Sequence, residues 1–286
     1  MLAMYERITF IFDPLHDFWE NDRTQRRVGV ALVVVFLAGL LTIELKRRGL
    51  MPSPLYALTP SNHFYAVNLA FTLVLILEVI SLIFTLPCSF SRSVGKQFEI
   101  LALILLRDSF KELSVFPEPI TVAGNLEPVM LIVGYAFGSL LIFALLGVYY
   151  RLQPSRKQEM ALPHDLYHFV AAKKGIALII LGTFIVMGLT AFVQTVLGLP
   201  HVDFFPVFYT LLIFTDILMV LVAQCFQPSF HAVYRNSGYV VSTLLIRLAL
   251  SAPGYYAIAL GIVAVLFAIF LTLACTQIFQ PKSKNR

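Results

Sequence analysis

The chain has 286 residues, of which 59% are hydrophobic and only 13% charged, with a mean hydropathy of +0.83. Soluble domains carry about a quarter charged and about 45–50% apolar residues, so an ordinary soluble enzyme, a disordered chain, a disulfide scaffold and a nucleic-acid binder are excluded. The net charge of +5 therefore calls for a membrane explanation, with basic residues placed beside lipid head groups.

In chain order, residues 1–13 carry Glu6 and Asp13 and lack the long apolar run of a cleaved signal peptide. They read as an amphipathic surface segment. Eight helices are predicted after them. Segments 28–43, 129–150, 175–199 and 255–279 are free of charge, and each is long enough, or nearly so, for the roughly 20 residues that cross about 30 Å of hydrocarbon. Segments 64–86 and 204–226 are equally long, but each holds one acid well inside, Glu78 and Asp216. Segments 93–113 and 235–250 are interrupted by Arg107 and Arg247 and read as spanning, tilted, re-entrant or interfacial. The fold expected is all-α: a polytopic integral membrane protein of about eight transmembrane helices.

Charge sets the expected orientation. With the N-terminus in the cytoplasm, the inner loops hold Arg23, Arg26, Arg27, Arg92, Lys96, Arg151, Arg156, Lys157, Lys173, Lys174, Arg235, Lys282, Lys284 and Arg286. The outer loops hold Lys46, Arg47 and Arg48, with Lys111 beside several acids. The positive-inside rule then puts both termini in the cytoplasm of a multi-pass plasma (inner) membrane protein, with the Lys46 to Arg48 cluster dissenting.

The two halves of the chain, 1–152 and 153–286, repeat one another at a shift of roughly 140 residues. His16-Asp17-Phe18-Trp19 answers to His164-Asp165-Leu166-Tyr167, His63 to His201, Thr72-Leu73 to Thr210-Leu211, and Glu78 to Asp216. After a small slip, Ser89-Phe90 matches Ser229-Phe230, and Leu105-Leu106-Arg107 matches Leu245-Ile246-Arg247. Four helices per repeat is an even number, so both repeats enter from the same side and are parallel. A long acidic stretch, 109–128, joins the third and fourth helices of the first repeat, where the second turns within a few residues. It is a tolerated surface insertion, a cap or a docking element.

The second repeat combines Asp216 in mid-helix, a Phe230-His231 pair, an aromatic and Gly-bearing third helix (Arg235, Gly238, Tyr239) ending in Ile246-Arg247-Leu248, and a plain apolar fourth helix. This pattern resembles the phosphate-starvation-inducible E (PsiE) family of small four-helix inner-membrane proteins. The first repeat is similar but looser: Glu78, Phe90 and Arg107 remain, whereas Ser91 stands in place of the His. The resemblance implies a tandem duplication of the four-helix unit and a context of phosphate limitation, and it implies no reaction.

A charge near the bilayer centre costs on the order of 3 kcal/mol, so the polar groups within the helices are the candidate sites. Glu78, Asp216, Arg107 and Arg247, with His63 and His201 at helix entries, either line a path for protons or small ions between the repeats, or form structural ion pairs that fix helix register. Glu78 and Arg107 are not level along their helices; Lys96 and Glu99 lie closer in depth to Glu78, and Asp108 to Arg107. His164 and His168 share an i, i+4 face in a linker, and Cys88, Cys225 and Cys275 show no CxxC spacing, so neither a metal nor a cofactor is expected. No phosphate loop, nucleophile elbow or HExxH occurs. The expectation is a non-enzymatic module, structural, accessory or sensing, or else an ion or small-solute pathway. Its expected partners are the bilayer, anionic head groups near residues 282–286, and a membrane-protein partner or further copies of itself.

Overall fold

The computed structural model describes residues 2–50, 59–60, 62–116, 126–153, 163–197 and 204–278. Among these residues the regular structure is helical throughout, in nine α-helices. They are α1 (Leu2–Glu20), α2 (Asp22–Arg47), α3 (Phe64–Thr85), α4 (Phe90–Lys111), α5 (Leu126–Leu152), α6 (Pro163–Val196), α7 (Phe204–Phe226), α8 (Phe230–Ser251) and α9 (Tyr255–Leu273). A 3-10 turn, Glu112–Val115, prolongs α4, and a π-helical turn, Ala274–Ile278, closes α9. Chains this apolar have a physical reason to be helical: in hydrocarbon every backbone N–H and C=O must be satisfied within its own segment.

The helix boundaries follow local chemistry. Asn21 breaks α1 from α2, its side chain accepting from the Arg23 amide at 2.9 Å. Pro87 and Pro228 stand shortly after the ends of α3 and α7, where proline cannot continue a helix. Ser89 and Ser229 then cap α4 and α8, each accepting from the amide three residues on at 3.4 Å. Pro253 and Gly254 form the tight link from α8 to α9, with Gly254 at φ 52°, a conformation that glycine adopts without a Cβ penalty.

Among the described residues six helices, α2, α3, α5, α6, α7 and α9, are long and apolar enough to cross a membrane. The eight predicted helices all form, but α4 and α8 are not among those six. Each has 22 residues, so length does not separate them; polar residues do, including Arg92, Lys96, Glu99, Arg107 and Asp108 on α4 and Arg235, Asn236 and Arg247 on α8. They hold interior positions instead: α4 packs on α3, α5 and α8, and α8 packs on α7, α9 and α4. Helix α6 also begins earlier than predicted. Residues 163–174, expected as a linker, are helical and receive α1, with Lys174 Nζ 2.6 Å from Asp13 Oδ1.

Two hydrophobic cores result, and α4 feeds both. One face, with Phe98, Leu101 and Leu105, packs into the core of α5, α8 and α9. The other, with Ile100 and Ile104, packs into the core of α1, α3, α6 and α7. Small residues bring α5 and α9 together: a Cβ on Gly138 would lie 2.5 Å from Ile258, and one on Gly261 2.8 Å from Ile142. Such close approach is how apolar helices associate where lipid supplies no hydrophobic drive. At the periphery, α2 buries only Ile43 among its residues.

Candidate functional site

The most enclosed polar cluster lies where α4, α7 and α8 meet. Arg247 on α8 is 2% exposed, Asp216 on α7 7%, and Gln97 on α4 1%. Arg247 donates from Nη2 to Gln97 Oε1 at 2.9 Å, so a residue of the N-terminal half is bonded to one of the C-terminal half. Asp216 and Arg247 attract each other electrostatically, and Asp216 Oδ2 has no hydrogen-bond partner. Gln97 Nε2, Arg247 Nε and Asn236 Oδ1 are likewise unpartnered. Around Gln97, Asp216 and Arg247, two donors and one acceptor are thus left over, while Asn236 lies about three turns from Arg247 along α8.

Beside them is a cavity of about 10 Å³ lined by Ser93, Gln97, Asp216, Met219, Tyr239 and Thr243, among others. That volume suits one water molecule. The arrangement supplies a carboxylate, an amide and hydroxyls around a water-sized space, lined also by Leu86, Phe90 and Val94. The buried phenol of Tyr209 on α7 lies in the field of Arg247, Arg107 and Asp108 together.

The other predicted site residues are distributed differently. Arg107 pairs with its neighbour Asp108, Nη2 to Oδ1 at 2.8 Å. Glu78 does not meet Arg107; its Oε2 lies 3.6 Å from Lys96 Nζ, which also reaches Glu99 Oε2 at 3.0 Å. His63 belongs to the far end of the α2–α3 pair, with Nε2 3.5 Å from Glu44 Oε2 and Nδ1 3.3 Å from Arg47. There Arg48 also binds Glu44 at 2.8 Å and Lys46 donates to the Thr59 carbonyl, so the dissenting basic cluster is tied to an acid and to backbone. His201 lies outside the described residues. The six predicted residues therefore do not line one path: Asp216 and Arg247 share a cluster, Arg107 is near it, and Glu78 and His63 sit in separate ion-pair groups.

Sequence reasoning passed over Gln97, Ser93, Thr243 and Asn236, which are neutral and so did not stand out. A signal was nevertheless present. At the offset that aligns Arg107 with Arg247, Asp108 aligns with Leu248 and Lys96 with Asn236. Residues 1–152 hold a local counter-charge for Glu78 and for Arg107, and residues 236 and 248 supply none for Asp216 and Arg247. Arg247 donates to Gln97, and Asp216 has the Thr243 hydroxyl and the field of Arg247.

Lys173 was read as a cytoplasmic topology signal and is a buried clamp. Its Nζ donates to the Cys88 carbonyl at 3.0 Å, between the rings of Phe90 and Phe169 at 4.5 and 4.4 Å. This fastens α6 to the α3–α4 turn. His168 packs edge-on against Tyr5, while the His164 side chain lies outside the described residues.

Fold and composition define the class: an α-helical, multi-pass membrane protein. No protein-family model, curated protein or solved structure matches the chain.

Proposed function

We propose that this chain is a non-enzymatic module of the plasma (inner) membrane, structural, accessory or sensing, built as two parallel PsiE-like four-helix repeats with both termini cytoplasmic. The observation that carries this reading is the buried bond from Arg247 to Gln97 beside a cavity no larger than a water molecule. A buried cation of one half that donates to an amide of the other is read as a fastening between helices. The duplication has support in the packing: the sequence-related helices α4 and α8 touch each other, as do α5 and α9. Ser139 on α5 donates to the Ala102 carbonyl on α4. Ser242, which aligns with Ala102, donates from α8 to the Ala264 carbonyl on α9. The cytoplasmic placement of the termini is favoured by the engagement of Lys46, Arg47 and Arg48 at the opposite end, which weakens their force as a topology signal. The link to phosphate limitation comes from the PsiE resemblance.

A second reading, a proton or small-ion pathway, is favoured by the bare Oδ2 of Asp216 facing that cavity. Flux in proteoliposomes separates the two. Under proton, cation and phosphate gradients the module reading expects no flux above protein-free vesicles. Flux that Asp216→Asn abolishes would replace it with the pathway.

A further inference from the structure

The buried carboxylate of Asp216 has a run of hydroxyls on one side and a fixed charge on the other. Tyr149, near the end of α5, donates to the Ser91 carbonyl at 2.8 Å and is also hydrogen-bonded to Gln153 and to Tyr239. Gln153, half-buried just past α5, donates to the same carbonyl at 3.1 Å. Tyr239 of α8 has its hydroxyl 3.1 Å from Thr272 Oγ1 of α9, and it lines the water-sized cavity with Gln97, Thr243 and Asp216. One turn further along α8, Thr243 is hydrogen-bonded to Asp216. The run therefore leads from the α3–α4 turn, beside which Ser91 lies, to a carboxylate ten residues before the end of α7, roughly 15 Å at 1.5 Å per residue.

A hydroxyl both donates and accepts, so Tyr149, Tyr239 and one water in the cavity hand a proton along without an open channel. Gln97 Nε2 and Asp216 Oδ2, both unpartnered and both on residues that line the cavity, give that water a donor and an acceptor. The far side differs. Arg247 stands one turn beyond Thr243 on α8; a guanidinium does not give up its proton, and its charge repels a migrating one. Leu212 and Phe208, one and two turns from Asp216 on α7, are fully buried. The groups that act on Asp216 are Arg247 and Thr243 of α8, and α4 presents neutral Gln97 at the cavity. Tyr209, two turns away on α7, is held in the field of Arg247, and α6 meets α7 through the ring pairs Phe169–Phe226 and Phe184–Phe208.

We propose that Asp216 is a proton-binding site, filled from the side of the α3–α4 turn through Tyr149 and Tyr239. A hydronium ion at the Tyr149 end gives up its proton and becomes water. Each hydroxyl passes one proton on, and the cavity water delivers the last to Oδ2, where the O–H bond forms. The proposal rests on the sensing form of the module: a carboxyl reached from one side registers the pH of that side and passes nothing to the other.

The test is time-resolved infrared spectroscopy of the full-length protein in nanodiscs after a drop in pH. A carboxylic acid C=O band is expected to grow in, to be missing in Asp216→Asn and to move in Asp216→Glu, which secures the assignment should the first variant not fold. Tyr239→Phe keeps the ring and is expected to slow the growth about a hundredfold, the lower end of what a positioned proton-transfer group contributes, with the midpoint of the titration unchanged. A merely structural Tyr239 would move the midpoint and leave the rate. Tyr209→Phe, on the Arg247 side, should alter neither. No band assignable to residue 216, an unchanged rate in Tyr239→Phe, or slowing in Tyr209→Phe overturns the proposal. The module reading fails instead on flux in proteoliposomes, a separate measurement that the band does not report.

Discussion

Arg247 concentrates the energetics of the interior. A buried ion pair gains little over an apolar pair of the same volume, yet removing one partner strands the other charge. Here the arginine spends a hydrogen bond on neutral Gln97 while Asp216 Oδ2 stays bare, so the cluster is a specificity device more than a source of stability. Lys173 is different, because its ammonium has a carbonyl and two aromatic faces. Lys173→Met is expected to lower stability by about 2 kcal/mol, one charged hydrogen bond plus cation–π attraction. Thermal unfolding in a fixed detergent measures this, and an unchanged midpoint would contradict the clamp. The two cases differ in how far the sequence revealed them. The Glu78–Lys96 pair followed from counting residues from the α3–α4 turn, since an antiparallel pair of helices brings equal depths together. The Lys173 clamp did not follow, because a lysine before an apolar run looks the same whether it faces head groups or a carbonyl.

At the scale of helices, hydropathy located every element after α1, because hydrocarbon demands long apolar segments whatever the tertiary packing. It did not show that α4 and α8, the two of the eight without a long apolar window, pack against three neighbours each while keeping one exposed face. A helix wrapped by neighbours can carry charges that a lipid-facing helix excludes, and only the contact pattern distinguishes the cases. The close contact of α5 with α9 gives a test with an internal control. Gly138→Leu drives a side chain into Ile258 and is expected to destabilise by about 1–3 kcal/mol. Gly147→Leu on the same helix, where a Cβ meets nothing within 4 Å, should change stability little. Equal effects of the two would mean that α5 and α9 do not meet as described. Midpoints of thermal unfolding again decide.

Over the whole molecule, the α4–α8 and α5–α9 contacts relate the two halves as a duplicated pair would, and α1 departs from that scheme by packing on α6. The sequence signs of a duplication are the aligned acids, arginines and Ser-Phe caps. The absence of counterparts to Asp108 and Lys96 at residues 248 and 236 was legible too, but the hydrogen bond that joins Arg247 of the second half to Gln97 of the first needed the fold. Orientation is checked by labelling in intact cells with a membrane-impermeant thiol reagent. Arg48→Cys should react from outside and a cysteine at either terminus should not; the reverse pattern would invert the topology.

The claim on which the rest depends is that the halves are fastened through Arg247 and Gln97. A double-mutant cycle of Gln97→Leu and Arg247→Met, read by unfolding in one lipid nanodisc, measures that fastening alone. The structure predicts a coupling of about 1.5–3 kcal/mol, the range of a hydrogen bond to a charged group. Additive effects, with a coupling near zero, would contradict it.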